Sequence, residues 1–221
     1  MGTENFLIET PWETRNLGIP SFTIDEKFYF RPEPASLKAG LVALARQHKR
    51  FFVYTRIAKQ DLPVTTILSA CGFYLVECTF TPFLRLAASQ ALADFEEYPS
   101  AFLPDRYLPD DIEFGQLTRG ANFPADDLCA IAAESFSDDR FHVDHSCTKE
   151  IADQRFVFWM KDLMADPNVV FDGLRLKGTL IAFCARKKNY LILTGFAKRY
   201  INAGLGEFFW LSTCQVLKSQ N

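Results

Sequence analysis

The sequence predicts a mixed α/β (α+β) fold arranged as two successive units. Strand-like and helix-like segments alternate along both halves of the chain, and a proline-dense stretch lies between them. The 221 residues are 48% hydrophobic and 23% charged, which suits one large globular domain or two small ones. The 22 phenylalanines point to an aromatic-rich core.

The first unit is assigned to residues 1–88. "FLIETPWETRNLGIPSFTID" reads as two short strands around a loop broken by proline and glycine. In "PASLKAGLVALARQHKR", Leu37, Leu41, Leu44 and Ala45 recur at helical spacing, with basic residues in the last turn. "FFVYTRI" is β-branched and aromatic, hence a strand. "QDLPVTTILSACG" reads as a short helix with Asp61 as its N-cap, Pro63 in its first turn and Gly72 closing it in a left-handed conformation. "FYLVECTFTPFLRL" follows as one long strand, or two broken near Pro82.

Residues 89–111 carry Pro99, Pro104 and Pro109 among acidic and aromatic residues and read as a linker. The second unit, 112–221, opens with the strand "IEFGQLT". "PADDLCAIAAESF" is a helix, with Pro124 at its start and Asp126 and Asp127 near the positive end of its dipole. "TKEIADQRFVFWMKDLMADP" is a second helix with Ile151, Phe156, Trp159, Met160 and Leu163 on one side. Three strands follow in "NVVFDGLRLKGTLIAFCARKKNYLILTGFA", with turns at Lys177-Gly178 and around Lys187–Asn189. A last helix is expected from about Gly204 to Val216.

A net charge of −3, without a basic excess, argues against nucleic acid as a partner. No stretch approaches the roughly 18 to 20 apolar residues a membrane helix needs. The first residues lack a basic region followed by an apolar run, so no signal peptide is expected. The six cysteines form no C-x-x-C pair, which favours reduced thiols and a cytoplasmic location over a disulfide framework.

The motif with most chemical content is "GFAKRYINAGLGEFFW", residues 195–210. Gly204 and Gly206 sit where the last strand gives way to the last helix. The first N–H groups of a helix lack internal partners and point outward with the positive end of its dipole. Glycine removes the side chains that would hold a phosphate away from those donors, while Leu205 can turn inward and anchor the loop. The alternative is an ordinary strand-to-helix turn. No third glycine follows and no Lys-Ser/Thr pair follows, so neither the dinucleotide nor the Walker fingerprint is met.

On these residues the chain resembles the GNAT superfamily of acetyltransferases. There a strand leads into Q/R-x-x-G-x-G/A, whose backbone amides hold the pyrophosphate of acetyl-CoA. The matching stretch is "INAGLG", with Gly204 and Gly206 in place and Ile201 where Gln or Arg is usual. "ETPWETRNLGIPSFTID", "RFFVYTRIAKQDLPVTTILSACGFYLVE" and "DDRFHVDHSCTKEIADQRFVFWMKDL" are similar to the two-part sugar-nucleotide acetyltransferases typified by dTDP-fucosamine N-acetyltransferase. That resemblance implies a tandem GNAT-like acyl-CoA N-acyltransferase fold: a partial N-terminal unit and a C-terminally shortened acetyl-CoA-binding unit. It implies transfer of acetyl from acetyl-CoA, with no metal, to a primary amine such as that of an amino-sugar nucleotide. It places the cofactor on Gly195, Phe196, Ala197, Ile201, Asn202, Ala203, Gly204, Leu205 and Gly206, with backbone at Phe196 and Ala197 pairing the pantetheine arm.

The sequence departs from that family after the glycine loop. The strands and helix that follow it there, with the tyrosine that protonates the leaving thiolate, have no counterpart before Asn221. "DLPVTTILSACGF" near the N-terminus aligns with the tyrosine stretch on Gly72-Phe73, but Leu68 stands in the tyrosine's place. Two readings stay open: an active N-acetyltransferase, or a catalytically incomplete protein of the same fold that binds or interacts. An exposed sheet edge beside the cofactor site favours homo-oligomers.

No catalytic residue is assigned from these motifs. In the resembling family the loop matching "RFHVDHSC" lies near the acceptor pocket, so the resemblance implies His142 or His145 as a candidate general base and Arg140 as a candidate contact to a substrate phosphate; the alternative is a loop that caps the following helix. As a zinc site the cluster lacks a fourth ligand.

Overall fold

Three short strands make the sheet of the first unit: β1 (Leu7–Glu9), β2 (Ser21–Ile24) and β3 (Phe52–Tyr54), in that order. β1 runs antiparallel to β2, and β2 parallel to β3. A parallel pair needs a crossover. It is supplied by α2 (Lys27–Phe30) and α3 (Pro34–Gln47), the latter started by Pro34 and burying Leu37 and Leu44. With α4 (Val64–Ala70), these elements enclose a core of Phe6, Ile24, Phe28, Leu37, Val64 and Leu68. The computed structural model describes residues 6–220. Residues 1–5, on which the signal-peptide expectation falls, and residue 221 lie outside the described residues.

Three expectations for this region are corrected. The segment between β1 and β2 is a helix, α1 (Pro11–Leu17), not a loop. Pro11 fits the first turn, and Gly18 (φ 67°) ends the helix in the left-handed region, donating to the Thr14 carbonyl at 2.9 Å. Proline and glycine therefore mark its two ends. Asp61 does not cap α4; Pro63 holds the N-cap position. Residues 73–85 form no strand, and Leu75, Phe80 and Phe83 are 80%, 86% and 93% exposed. β-propensity is a preference that a ladder partner must satisfy, and this segment has none among the described residues.

The chain divides into two compact units between Glu77 and Cys78. The second contains the expected strands: β4 (Ile112–Gln116), β5 (Val170–Leu176), β6 (Thr179–Lys187) and β7 (Tyr190–Phe196). They form one antiparallel sheet in chain order. The β5–β6 hairpin turns at Lys177 (φ 51°) and Gly178 (φ 78°), the positive pair that a tight hairpin requires.

Helices cover both faces. On one, α6 (Ala125–Glu134) and α8 (Lys149–Ala165) pack Leu128, Ile131, Phe156 and Met160 against Phe171, Phe183, Ala185 and Leu193. On the other, α9 (Gly206–Ser219) packs Leu205 and Phe209 against Leu174, Ile181, Ala182 and Cys184. Covered from both sides, β6 is buried continuously from Leu180 to Arg186.

The proline-dense stretch is structured. Ser89 caps α5 (Gln90–Glu97) by accepting from the Leu92 N–H. Leu92 and Phe95 are buried, and the Phe95 ring meets Phe208 of α9 edge-on at 5.4 Å. Lys218 pairs with Glu96 at 2.8 Å. The prolines come after α5 and start short 3₁₀ turns at Pro99–Phe102 and Pro109–Asp111. Residues 89–111, expected as a linker, thus belong to the packed second unit.

One buried ion pair stands inside this unit. The Arg186 Nε donates to Asp172 Oδ2 at 2.5 Å, and its Nη1 donates to Gln220 Oε1 at 2.9 Å, just past the end of α9. Asp172 is fully buried. Removing one member of such a pair strands the other's charge in a dry interior. Asp172→Asn is expected to cost about 3–5 kcal/mol in chemical denaturation, and the double change Asp172→Leu/Arg186→Met to recover most of it.

Candidate functional site

The chain leaves β7 at Phe196 and reaches α9 through a 3₁₀ turn (Lys198–Tyr200) and the loop 201–205. The Ala197 N–H donates to the Ile181 carbonyl at 2.8 Å, so it faces β6. Across the same trans peptide the Phe196 carbonyl faces away from β6. There it accepts from the Ser135 hydroxyl at 2.8 Å. Glu134 Oε1 accepts from the Lys198 N–H at 2.9 Å. Two residues at the end of α6 therefore fix the exit of β7, and Ser135 occupies the Phe196 carbonyl that the sequence offered to a pantetheine arm.

Gly195 is required by this contact. A Cβ there would lie 2.6 Å from Ser135 Oγ and 2.9 Å from Phe183 Cε1.

In the loop, Asn202 (φ 62°) and Gly204 (φ 78°) adopt left-handed backbone, which Asn tolerates and Gly adopts freely. Leu205 is buried in the core beneath α9. Ile201 is exposed. The helix begins at Gly206, two residues later than the sequence suggested. Its N-cap residue, Leu205, supplies no capping side chain, so the first-turn N–H groups have no side-chain acceptor from that position. A Cβ at Gly206 would meet nothing within 4 Å, whereas one at Gly204 would lie 2.8 Å from Pro104 Cγ. The two glycines thus differ: Gly204 is demanded by its backbone and by Pro104, while Gly206 leaves open space before uncapped donors. Glu207, in the first turn, brings a negative charge to the same end.

Pro104 and Arg106 come from the stretch expected to be a linker. Arg106 Nη2 donates to the Ala203 carbonyl, and its guanidinium lies 5.1 Å from the Tyr107 ring centroid. A cation is therefore held against the loop where the sequence has Ile201 instead of a polar residue. No local signal identifies it, because 97 positions separate the partners. Lys198 and Arg199 add exposed positive charge beside the loop.

The segment before α8 has a different design. His142, in the short helix α7 (Arg140–Val143), has a side chain only 6% exposed. Its Nε2 meets Asp153 Oδ1 at 2.9 Å and its Nδ1 meets Asp139 Oδ2. Asp153 also accepts from Lys149. Burial alone would lower the His142 pKa; hydrogen bonds and charge from Asp153 and Asp139 outweigh it, and the pKa is raised. The Asp153 pKa is lowered, because its bonds to His142 and Lys149 outweigh its own burial. An imidazolium that donates from both nitrogens has no lone pair to take a proton, so His142 serves as a clamp between α7 and α8 in this arrangement and not as the general base suggested by its sequence.

His145 is exposed, and the Arg140 guanidinium lies 4.6 Å from the Phe141 ring centroid. Among the described residues no group of three or more His, Cys, Asp or Glu is placed to hold a metal ion. None of the six cysteines forms a disulfide among the described residues, and burial pushes the Cys184 thiol up to about 12, which makes it a poor nucleophile. No helix among the described residues is long and apolar enough to cross a membrane.

No protein-family profile matches the chain, and no curated protein matches it in sequence. The candidate site therefore stands on its geometry.

The clamp has a pH signature. His142, with a raised folded pKa, contributes stability that is complete below its unfolded value near 6.5 and lost as pH rises through the folded pKa. Asp153, with a lowered folded pKa, contributes stability present above its unfolded value near 3.8 and lost as pH falls through the folded pKa. Thermal melts are expected to show a higher Tm at about pH 6 than at about pH 8.5, and His142→Gln to remove that difference.

Proposed function

We propose that the second unit binds acetyl-CoA with its pyrophosphate at the start of α9, on a GNAT-like fold, and that the chain is an N-acetyltransferase. The acceptor is a primary amine, with the amine of an amino-sugar nucleotide as its class. The observation that carries this reading is the exit of β7 through Gly195–Ala197 and a left-handed Gly204 into a helix start without a side-chain cap. The open space at Gly206 and the Arg106 guanidinium beside the loop suit a diphosphate. Glu207 opposes it, and Arg106, Lys198 and Arg199 offset that charge.

When bound, acetyl-CoA would supply an activated thioester: a neutral amine would form the C–N bond as the C–S bond breaks, giving the amide and a thiolate that is protonated at the expense of the proton the nitrogen loses. The chain's part in this reading is to hold the phosphates on the α9 amides and so to position the thioester near the end of the sheet. A second reading, a binding or interaction protein of the same fold without turnover, is favoured by one observation: the imidazole of His142 is fully engaged by two carboxylates.

Calorimetric titration of the full chain with acetyl-CoA tests the cofactor reading, and thiol release with amino-sugar nucleotides tests turnover. Binding with turnover is the expected result; no heat at millimolar cofactor overturns the phosphate cradle. Binding without thiol release selects the second reading. Gly206→Val, whose Cβ meets nothing within 4 Å, is expected to weaken acetyl-CoA by at least about tenfold without lowering Tm. Gly204 is a poorer probe, since a side chain there also strains the loop.

A further inference from the structure

A cavity lies at the opposite edge of the same sheet. It measures about 230 Å³ and is lined by Glu113, Gly115, Thr118, Asn122, Gly173 and Arg175, among others. Its shape follows from the register. Glu113 pairs with Arg175 across β4 and β5, and Gly115 pairs with Gly173 at the next position on that face. Of the two facing glycines, Gly173 is covered by the Leu117 and Leu180 side chains, while Gly115 leaves bare backbone where a sheet would ordinarily carry a side chain.

The two glycines have different reasons to be there. A Cβ at Gly173 would lie 2.8 Å from both Leu117 Cδ2 and Leu180 Cδ1, so internal packing requires it. A Cβ at Gly115 would meet nothing within 4 Å, and its φ is not in the left-handed region. Neither packing nor backbone explains glycine at 115. Glycine inside a strand weakens it, and it marks positions where something else approaches the backbone.

The polar groups define what approaches. Glu113 and Arg175 face the same side at one end of the floor, yet form no ion pair with each other; Arg175 Nη1 donates instead to the Gly178 carbonyl at 2.9 Å. A carboxylate and a guanidinium held side by side, each with capacity to spare, complement a molecule that carries both charges. Beyond the glycines the groove is bounded by buried Leu117, with the Asn122 amide and Thr118 hydroxyl on its rim.

We propose that this groove binds a free α-amino acid with a short uncharged side chain. The ammonium group sits on Glu113, the carboxylate takes the remaining donors of Arg175, and the side chain lies over Gly115 beside Leu117. β4 and β7 are opposite edges of a four-stranded sheet, so the groove lies about 14 Å from the strand leading to the glycine loop, too far to deliver an amine there directly. It is a separate site, and its failure leaves the acetyl-CoA reading untouched.

The test uses amide NMR on the full chain, with glycine, alanine and serine as probes and acetate, methylamine and N-acetylglycine as single-charge controls. Amide shifts at Gly115 and Gly173 with the amino acids, and none with the controls at equal concentration, are expected. Gly115→Val fills the groove and should abolish the response while leaving the melting curve in place. Glu113→Gln and Arg175→Gln, read on the same amides, should each weaken binding by about tenfold. Absence of groove shifts with all three amino acids at millimolar concentration overturns the proposal. So does an equal response to the single-charge controls, or binding that persists unchanged in Gly115→Val or in Glu113→Gln.

Discussion

The seating of α9 on the sheet is the constraint on which the rest of the second unit depends. Phe209 has no exposed surface, and Phe196 and Phe114 meet its ring edge-on at 5.1 and 5.9 Å. Leu205, one turn earlier, is buried beside it. Burial of side chains this size stabilises by roughly 1.5–3 kcal/mol each, enough to decide where a helix begins. At the far end, Gln220 accepts from Arg186, whose charge is met by Asp172. Held at both ends, α9 cannot slide along its axis, and its first N–H groups stay directed at the end of β7.

The sheet supplies the other half of that geometry. Register shifts between Leu174 and Arg175, and between Ala185 and Arg186, insert an extra residue in β6 and in β7. Such bulges re-aim side chains and bend strands. Ile181, the extra residue of β6, presents the carbonyl that receives the Ala197 N–H, and so sets the direction in which the chain leaves β7. Covered on both faces, β6 is a rigid centre. The β4–β5 cavity and the loop that follows β7 both lie toward the sheet's edges.

Much of this was legible in the sequence. The three strands from 170 to 196 announced themselves by apolar runs separated by turn residues, α3 and α8 by helical spacing of apolar residues, and α6 by Pro124 at its start and Asp126 and Asp127 in its first turn. Leu205 was readable as an anchor because it lies between two glycines at a strand-helix boundary. The failures have physical causes. Pro11 and Gly18 were read as breakers, although the same residues begin and end a helix. Prolines at 99, 104 and 109 obscured the short apolar stripe of Leu92 and Phe95 just before them. Residues 73–85 have strand composition, but pairing depends on a partner that composition does not specify. Within the site, Arg106, Pro104, Ser135 and Glu134 act through contacts distant in sequence. Asp139 acts locally: it stands three residues before His142 and caps α7 by accepting from the Phe141 N–H, a contact that the sequence did not indicate.

The central claim is that the first turn of α9 receives a diphosphate. Amide NMR with coenzyme A and with pantetheine, which lacks the phosphates, tests it most directly. The account predicts that coenzyme A moves the amide signals of Gly206, Glu207 and Phe208 strongly, and that pantetheine leaves them in place. Coenzyme A shifts confined to residues away from α9, or equal shifts with pantetheine, would contradict it.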